Sequence, residues 1–251
     1  MKFYLGTHHP HWLERTYVPL FISRRSLMTR KSMPVAHGPW ALDSGGFTEL
    51  SMFGEWRTSE DEYIADVLRY QDEIGQLEWV APQDWMCEPF MLAKTGLTVR
   101  EHQYRTVMNF LRLRYHLGFL VVPVLQGWDQ DDYRYHASMY CRHGVDLEDE
   151  QVVGLGSICR RQNTSEVGFI VREFNWLKLH AFGVKLTGLE SYGDALHSAD
   201  SMAWSYRARR DTPMRGHTHK SCANCLPYAL RWRDQVLARL GQQRLEFACA
   251  V

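Results

Sequence analysis

Long apolar runs are missing from this sequence, so no membrane-spanning segment is expected. The first apolar stretch, Phe3 to Leu5, stops at Gly6 and runs into a histidine-rich segment, which does not read as a secretory leader. No Gly-x-Gly-x-x-Gly follows that stretch, which weakens a dinucleotide-binding reading. Net charge is also missing: 29 basic residues face 29 acidic ones, so a nucleic-acid partner would have to show as a local patch. No internal repeat, low-complexity tract or linker breaks the chain. The six cysteines are scattered and only Cys222 and Cys225 are close, unlike a secreted disulfide framework. A single domain spanning 1–251 in a reducing cytoplasm is the expectation, and an oligomer stays open.

What the sequence does contain is alternation. Short apolar or β-branched runs occur at 2–6, 18–23, 39–43, 78–82, 119–125, 151–156, 180–184 and 196–200, and helical patterns separate the later ones. A capping box, Ser59 with Glu62, opens a helix near 59–75 with Tyr63, Val67, Tyr70 and Ile74 on one face. A second box, Thr98 with Glu101, opens a helix that stops at Gly118 and is expected to bury Tyr104, Val107, Leu111 and Tyr115. Residues 131–143 repeat the pattern before Gly144, and 165–178 follow with Thr164 or Ser165 as cap. A C-terminal helix is expected over about 227–240, from Pro227 to Gly241. Eight strands alternating with helices predict an α/β fold, a (β/α)8 TIM-type barrel, with 212–251 as a zinc-binding and helical C-terminal segment. An open doubly wound sheet is the structural rival.

In such a barrel the functional groups sit at the C-terminal ends of the strands. Here those ends carry Asp43-Ser44-Gly45-Gly46-Phe47, Gln83-Asp84-Trp85, Gln126-Gly127, Gly154-Leu155-Gly156 and Ala199-Asp200-Ser201. Taken singly, each has a plain reading: Asp43 as a turn residue, Asp200 as a cap for a helix at 202–210, the glycines as packing sites. Recurrence is what the plain readings leave unexplained. Three carboxylates and a carboxamide fall at strand ends facing one mouth, and paired carboxylates are the tools of glycosidic-bond chemistry.

Asp43-Ser44-Gly45-Gly46-Phe47 resembles the signature of tRNA-guanine transglycosylases. Asp84-Trp85-Met86-Cys87, Val124-Leu125-Gln126-Gly127, Gly154-Leu155-Gly156, and Phe182-Gly183-Val184 followed by Ala199-Asp200-Ser201, Arg207 and Arg209 resemble that family's later segments, in its order, over roughly 40–225. Gly183–Leu189 and Ser198–Ser205 look closer to the DpdA branch, which is associated with placing 7-deazaguanines in DNA, notably in phages and bacterial modification islands. The resemblance implies that Asp200 is the nucleophile at C1′ and Asp43 the proton-shuttling partner. It implies that Asp84, Gln126 and Gly156, with Ser44 and Gly45, address a guanine or a free 7-deazaguanine such as 7-cyano-7-deazaguanine (preQ0). A target base would have to be flipped out of the DNA, with Phe47, Trp85 and Trp128 as stacking candidates. Arg24, Arg25, Arg30 and Lys31 form one basic cluster, and Arg207, Arg209, Arg210, Arg215 and Lys220 another, both suited to phosphates. The same exchange on tRNA, a non-catalytic nucleic-acid-binding subunit and a plain glycoside hydrolase are the alternatives. Both aspartates argue against the second, and the guanine-matching Asp84 and Gln126 against the third.

His217-x-His219-x-x-Cys222-x-x-Cys225 gathers four zinc ligands within nine residues. A redox dithiol is the rival, without a thioredoxin-like context. The resembled family carries a structural zinc held by three cysteines and a later histidine. This chain departs from that pattern, with Lys220 where the first cysteine would stand and no histidine after Cys225. Cys222 and Cys225 are the expected ligands of a structural Zn2+; His217, His219 and Cys249 compete for the other places. His8, His9 and His11 read as a polar loop or phosphate contact in preference to a second metal site.

Overall fold

The computed structural model describes residues 1–161 and 165–249, without side chains beyond 241. Its centre is a curled sheet of eight parallel strands: β1 (Lys2–Thr7), β2 (Leu20–Ser23), β3 (Trp40–Asp43), β4 (Leu77–Val80), β5 (Val124–Leu125), β6 (Val153–Leu155), β7 (Leu179–Ala181) and β8 (Ser198–Ser201). All eight fall within or against the apolar runs read from the sequence. The spatial order is β4-β3-β2-β1-β8-β7-β6-β5, so the first strand pairs with the last, Tyr4 opposite Asp200. The two ends of the sheet, β4 and β5, approach each other through one parallel bridge, Val80 to Val121, with the Val122 amide donating to the Val80 carbonyl at 3.1 Å.

Strand periodicity explains what lies on each face. Phe3 and Leu5, Leu20 and Ile22, Trp40 and Leu42 point outward into the large core beneath the helices. The alternate residues Tyr4, Phe21, Ala41, Trp79, Val122 and Val152 form a separate plug inside the curl, with Phe182 against it. The plug's one indole donor is satisfied: Trp79 Nε1 donates to the Tyr4 hydroxyl at 2.9 Å.

Nine α-helices are described around the sheet: α1 (Gly46–Phe53), α2 (Glu60–Glu73), α3 (Pro89–Thr95), α4 (Val99–Leu117), α5 (Gln130–Arg142), α6 (Ser165–Glu173), α7 (Leu186–Tyr192), α8 (Ala203–Ala208) and α9 (Leu226–Cys249). Both capping boxes are formed, at Ser59/Glu62 and Thr98/Glu101. Helix α2 buries Tyr63, Val67 and Tyr70, as its periodicity dictates. Helix α4 is rotated from its expected face: Val107 is buried with Phe110, Leu113 and Leu117, while Tyr104 and Tyr115 are exposed. Its inner face also carries His102, Gln103 and Thr106, polar residues bonded to the loops at the strand ends. Helix α6 ends at Glu173, earlier than expected, and Thr164 lies outside the described residues. Helix α9 runs through Gly241 instead of stopping there. That glycine faces open space, and an exposed mid-helix glycine costs only about 1 kcal/mol relative to alanine. Among the described residues no helix is long and apolar enough to cross a membrane.

Candidate active site

The same alternation that builds the internal plug places the acids. Asp43 stands two residues beyond Ala41 in β3, Ser23 two beyond Phe21 in β2, and Asp200 two beyond Ser198 in β8. Each therefore points inward, one layer above the plug. Gln126 and Gly156 follow the same parity beyond Val122 and Val152. The result is a cavity of about 300 Å³ at the C-terminal ends of the strands, lined by Asp43, Asp84, Gln126, Gly156 and Asp200 together with Phe182 and Gly183. Its volume is at the lower end of the range that takes small heterocyclic ligands, ~300–1,000 Å³.

Asp200 is nearly inaccessible at 6% exposure. Its Oδ1 accepts from the Gly183 amide at 2.8 Å and lies 3.5 Å from His180 Nε2. His180 is fully buried, with Nδ1 3.0 Å from Ser198 Oγ. Burial pulls its imidazole below the usual value, against the opposing effect of Asp200. Asp43 is pushed above the usual carboxylate range, chiefly by burial and further by the charge of Asp200; donors from the Ser23 hydroxyl and Gly45 amide oppose the rise. One acid held by an amide and a second biased toward its protonated form are the pair that displacement at a sugar carbon needs.

Gly45 makes the turn that delivers this geometry. It has φ of 84°, a left-handed conformation, and caps α1 directly after Asp43-Ser44. A Cβ there would meet Arg25 Cγ at 2.8 Å. Gly46 and Phe47 line the cavity, whereas Ser44 is turned away and its hydroxyl reaches Asp84 Oδ1 at 3.4 Å.

Asp84 closes the opposite side. Burial raises its carboxyl to about 7, helped by the charge of Asp43 and opposed by the hydrogen bond from Gln126. Gln126 is fully buried, its Nε2 donating to Asp84 Oδ2 at 2.5 Å and its Oε1 standing 2.6 Å from Ser157 Oγ. Gly156 differs from its expected role. Its amide is spent on the Leu125 carbonyl at 2.9 Å and its carbonyl accepts from Tyr133, so the backbone is not free to address a base. What the glycine provides is space, since a Cβ would lie 2.2 Å from Gln126 Nε2.

The aromatic and basic candidates separate. Phe47 lines the cavity rim and is exposed, with Arg160 stacked 5.0 Å from its ring. Trp85 is buried under Arg105, and the ring of Trp128 is covered by Arg161 at 4.2 Å. Phe182, not expected from the sequence, presents a further ring to the cavity. Arg24 is buried in a 2.6 Å ion pair with Asp66, which takes it out of a phosphate site, and the half-buried Arg25 is paired with Glu49. Arg207, Arg209 and Arg210 are exposed; Arg207 pairs with Asp211 at 3.2 Å, and Arg210 stacks on Tyr206 at 3.5 Å.

His217, His219, Cys222 and Cys225 converge, all four ligand atoms lying within 4.8 Å of one another. His219 Nε2 is 3.0 Å from Cys222 Sγ, and His217 Nδ1 is 3.6 Å from Cys225 Sγ. A tetrahedron with arms of ~2.0–2.3 Å has edges of about 3.3–3.8 Å, so this cluster could hold a metal ion with little adjustment. The Cys249 side chain lies outside the described residues. His8, His9 and His11 touch as rings, but form no metal-holding group among the described residues.

Glu88, Ser157, His180, Ser23 and Phe182 were missed from the sequence. Ser23, His180 and Phe182 carried a usable signal, the inward parity of their strands. Glu88 and Ser157 lie in loops, where no periodicity marks them.

A family model described as DpdA, DeoxyPurine in DNA protein A, matches residues 1–247. No curated protein is similar enough to the chain to match it.

Proposed function

Because the chain belongs to the DpdA family, DeoxyPurine in DNA protein A, we propose that it exchanges a guanine in DNA for a 7-deazaguanine such as preQ0. The sheet is read as a closed (β/α)8 barrel, with the Val80–Val121 bridge as its seam. The observation that carries the reading is that Asp43 of β3 and Asp200 of β8 line one purine-sized cavity whose far side is the Asp84 carboxylate.

Asp200 attacks C1′ of the flipped nucleotide. The C1′–N9 bond breaks, its electron pair leaves with guanine, and Asp43 supplies the proton to N9. A glycosyl ester with Asp200 remains. The free 7-deazaguanine enters, gives its N9 proton to the Asp43 carboxylate and attacks C1′, releasing Asp200. Two inversions restore the original configuration. Asp84 accepts from N1–H and the 2-amino group of either base, which is what a guanine edge offers and an adenine edge does not. Phe47 and Phe182 supply apolar faces for the ring, and Arg207, Arg209 and Arg210 take phosphates. The His217, His219, Cys222, Cys225 cluster is assigned to a structural Zn2+, since two thiolates and two imidazoles suit that ion and leave no open position for chemistry.

Incubation with labelled guanine and either duplex DNA or tRNA tests this. Label is expected in DNA, and not with Asp200→Ala or Asp43→Ala. Labelling of tRNA alone overturns the DNA assignment.

A further inference from the structure

Below the base-binding side of the cavity, four side chains form one chain of contacts: Asp84, Gln126, Ser157 and Glu88. Gln126 Nε2 reaches Asp84 Oδ2 at 2.5 Å, Ser157 Oγ lies 2.6 Å from Gln126 Oε1, and the same Oγ lies 2.9 Å from Glu88 Oε2. The Cys87 amide also donates to Ser157 Oγ, at 2.8 Å. Ser157 is held there by a left-handed backbone, φ 55°, a conformation costing a non-glycine residue about 1–3 kcal/mol. Gln126, Ser157 and Glu88 are each at most 5% exposed, so bulk water cannot mend a mismatch.

Proton counting decides the polarity. Ser157 owns one hydroxyl proton but stands within bonding distance of two acceptors, Gln126 Oε1 and Glu88 Oε2. If Glu88 were ionised it would claim that proton, leaving the Gln126 carbonyl facing a lone pair at 2.6 Å. If Glu88 is a neutral acid, every group is satisfied: Glu88 donates to Ser157, Ser157 to Gln126, and Gln126 to an ionised Asp84. Moving the proton to Asp84 and turning the carboxamide over gives the only other satisfied arrangement, with Asp84 left one good acceptor oxygen for a guanine edge that brings two donors. We infer that Asp84 and Glu88 share a single proton across this relay, and that Glu88, as its neutral end, is a positioning residue that keeps Asp84 an acceptor for the base. This rests on the reading of Asp84 as the base-recognition group.

The surroundings of Glu88 agree. Burial raises its carboxyl above the usual range, against the pull of its own backbone amide, Ser157, Arg160 and Arg161. The other titratable groups facing it are Asp84, Cys87, Cys159 and Tyr133, none of which is a cation.

Guanine itself is the probe. Its dissociation constant is measured by calorimetry from about pH 6 to about pH 9, for wild type, Glu88→Gln and Glu88→Ala. A glutamine at 88 donates to Ser157 at every pH. It should restore most of the tenfold or greater loss of affinity expected of Glu88→Ala, ~1.4 kcal/mol per decade. It should also abolish the weakening that wild type shows as Glu88 ionises at alkaline pH. A difference infrared spectrum should contain a protonated-carboxyl band at neutral pH that Glu88→Gln lacks. Loss of affinity in Glu88→Gln equal to that in Glu88→Ala overturns the inference, as does absence of the band. The two failures are separable: a wild-type protein that does not bind guanine sinks the base-recognition reading, while the infrared band still decides where the proton sits.

Discussion

Substituting Gly156 by alanine should damage base recognition without touching an acid. The new methyl group would lie 2.2 Å from Gln126 Nε2 and 2.6 Å from its Cδ, and Gln126 is fully buried with its backbone carbonyl held by Gln103 Nε2. The carboxamide must swing, losing its bonds to both Asp84 and Ser157. Overpacking of this kind costs ~1–3 kcal/mol, and each buried polar group left unsatisfied a further ~1–3 kcal/mol. Even the lowest total, about 3 kcal/mol, lowers Tm by about 6–12 °C for a chain of this size. Guanine affinity should fall by about ten- to a hundredfold, because Asp84 loses the donor that orients it. Differential scanning fluorimetry and calorimetric titration read the two effects. A Gly156→Ala protein with Tm within about 2 °C of wild type and unchanged guanine affinity would refute the assignment of Gly156 as the space that Gln126 needs.

Asp84→Asn should bind guanine poorly yet gain stability relative to wild type as pH rises. A buried carboxyl raised to about 7 in the folded protein holds its proton there while the unfolded chain, near 4, has released it. Its contribution to stability is therefore present at low pH and lost as pH rises through about 7. The Tm difference between variant and wild type, measured from pH 5 to pH 8, should widen in favour of the variant. For guanine the sign is opposite: wild-type binding should weaken as pH falls through about 7, because the protonated acid offers one acceptor oxygen where the carboxylate offers two. Cys222→Ser should abolish bound zinc by elemental analysis and lower Tm, whereas unchanged zinc content would contradict the ligand assignment. Arg209→Ala and Arg210→Ala should each lower the slope of log K against log salt for duplex DNA by about 0.9, with no change in guanine affinity.

The strands were legible because each is a short apolar run with turn signals on both sides, and their inward parity carries Asp43 and Asp200 to the cavity. Two helices could be read from their capping boxes, but a box fixes where a helix begins and not which face it buries. In α4 the expected face takes Tyr104 and Tyr115 because they fall on one helical stripe with Val107 and Leu111. The structure instead buries Gln103 and Thr106, whose polar atoms hold the loops that carry Gln126 and Trp85. Hydrophobic pattern alone gives such residues the wrong sign. Glu88 and Ser157 are invisible for a related reason: the two lie 69 positions apart along the chain, and only folding brings Ser157 Oγ within 2.9 Å of Glu88 Oε2. Helix α9 shows the limit of punctuation, since an exposed glycine inside a helix, such as Gly241, costs only about 1 kcal/mol relative to alanine and does not by itself stop it.

The most direct test is to denature a reaction with guanine-containing duplex DNA during turnover and map the protein by mass spectrometry. A nucleotide-linked peptide carrying the adduct on Asp200 is the predicted result, lost in Asp200→Asn. An adduct on Asp43, or label exchange into DNA that survives Asp200→Asn, would contradict it.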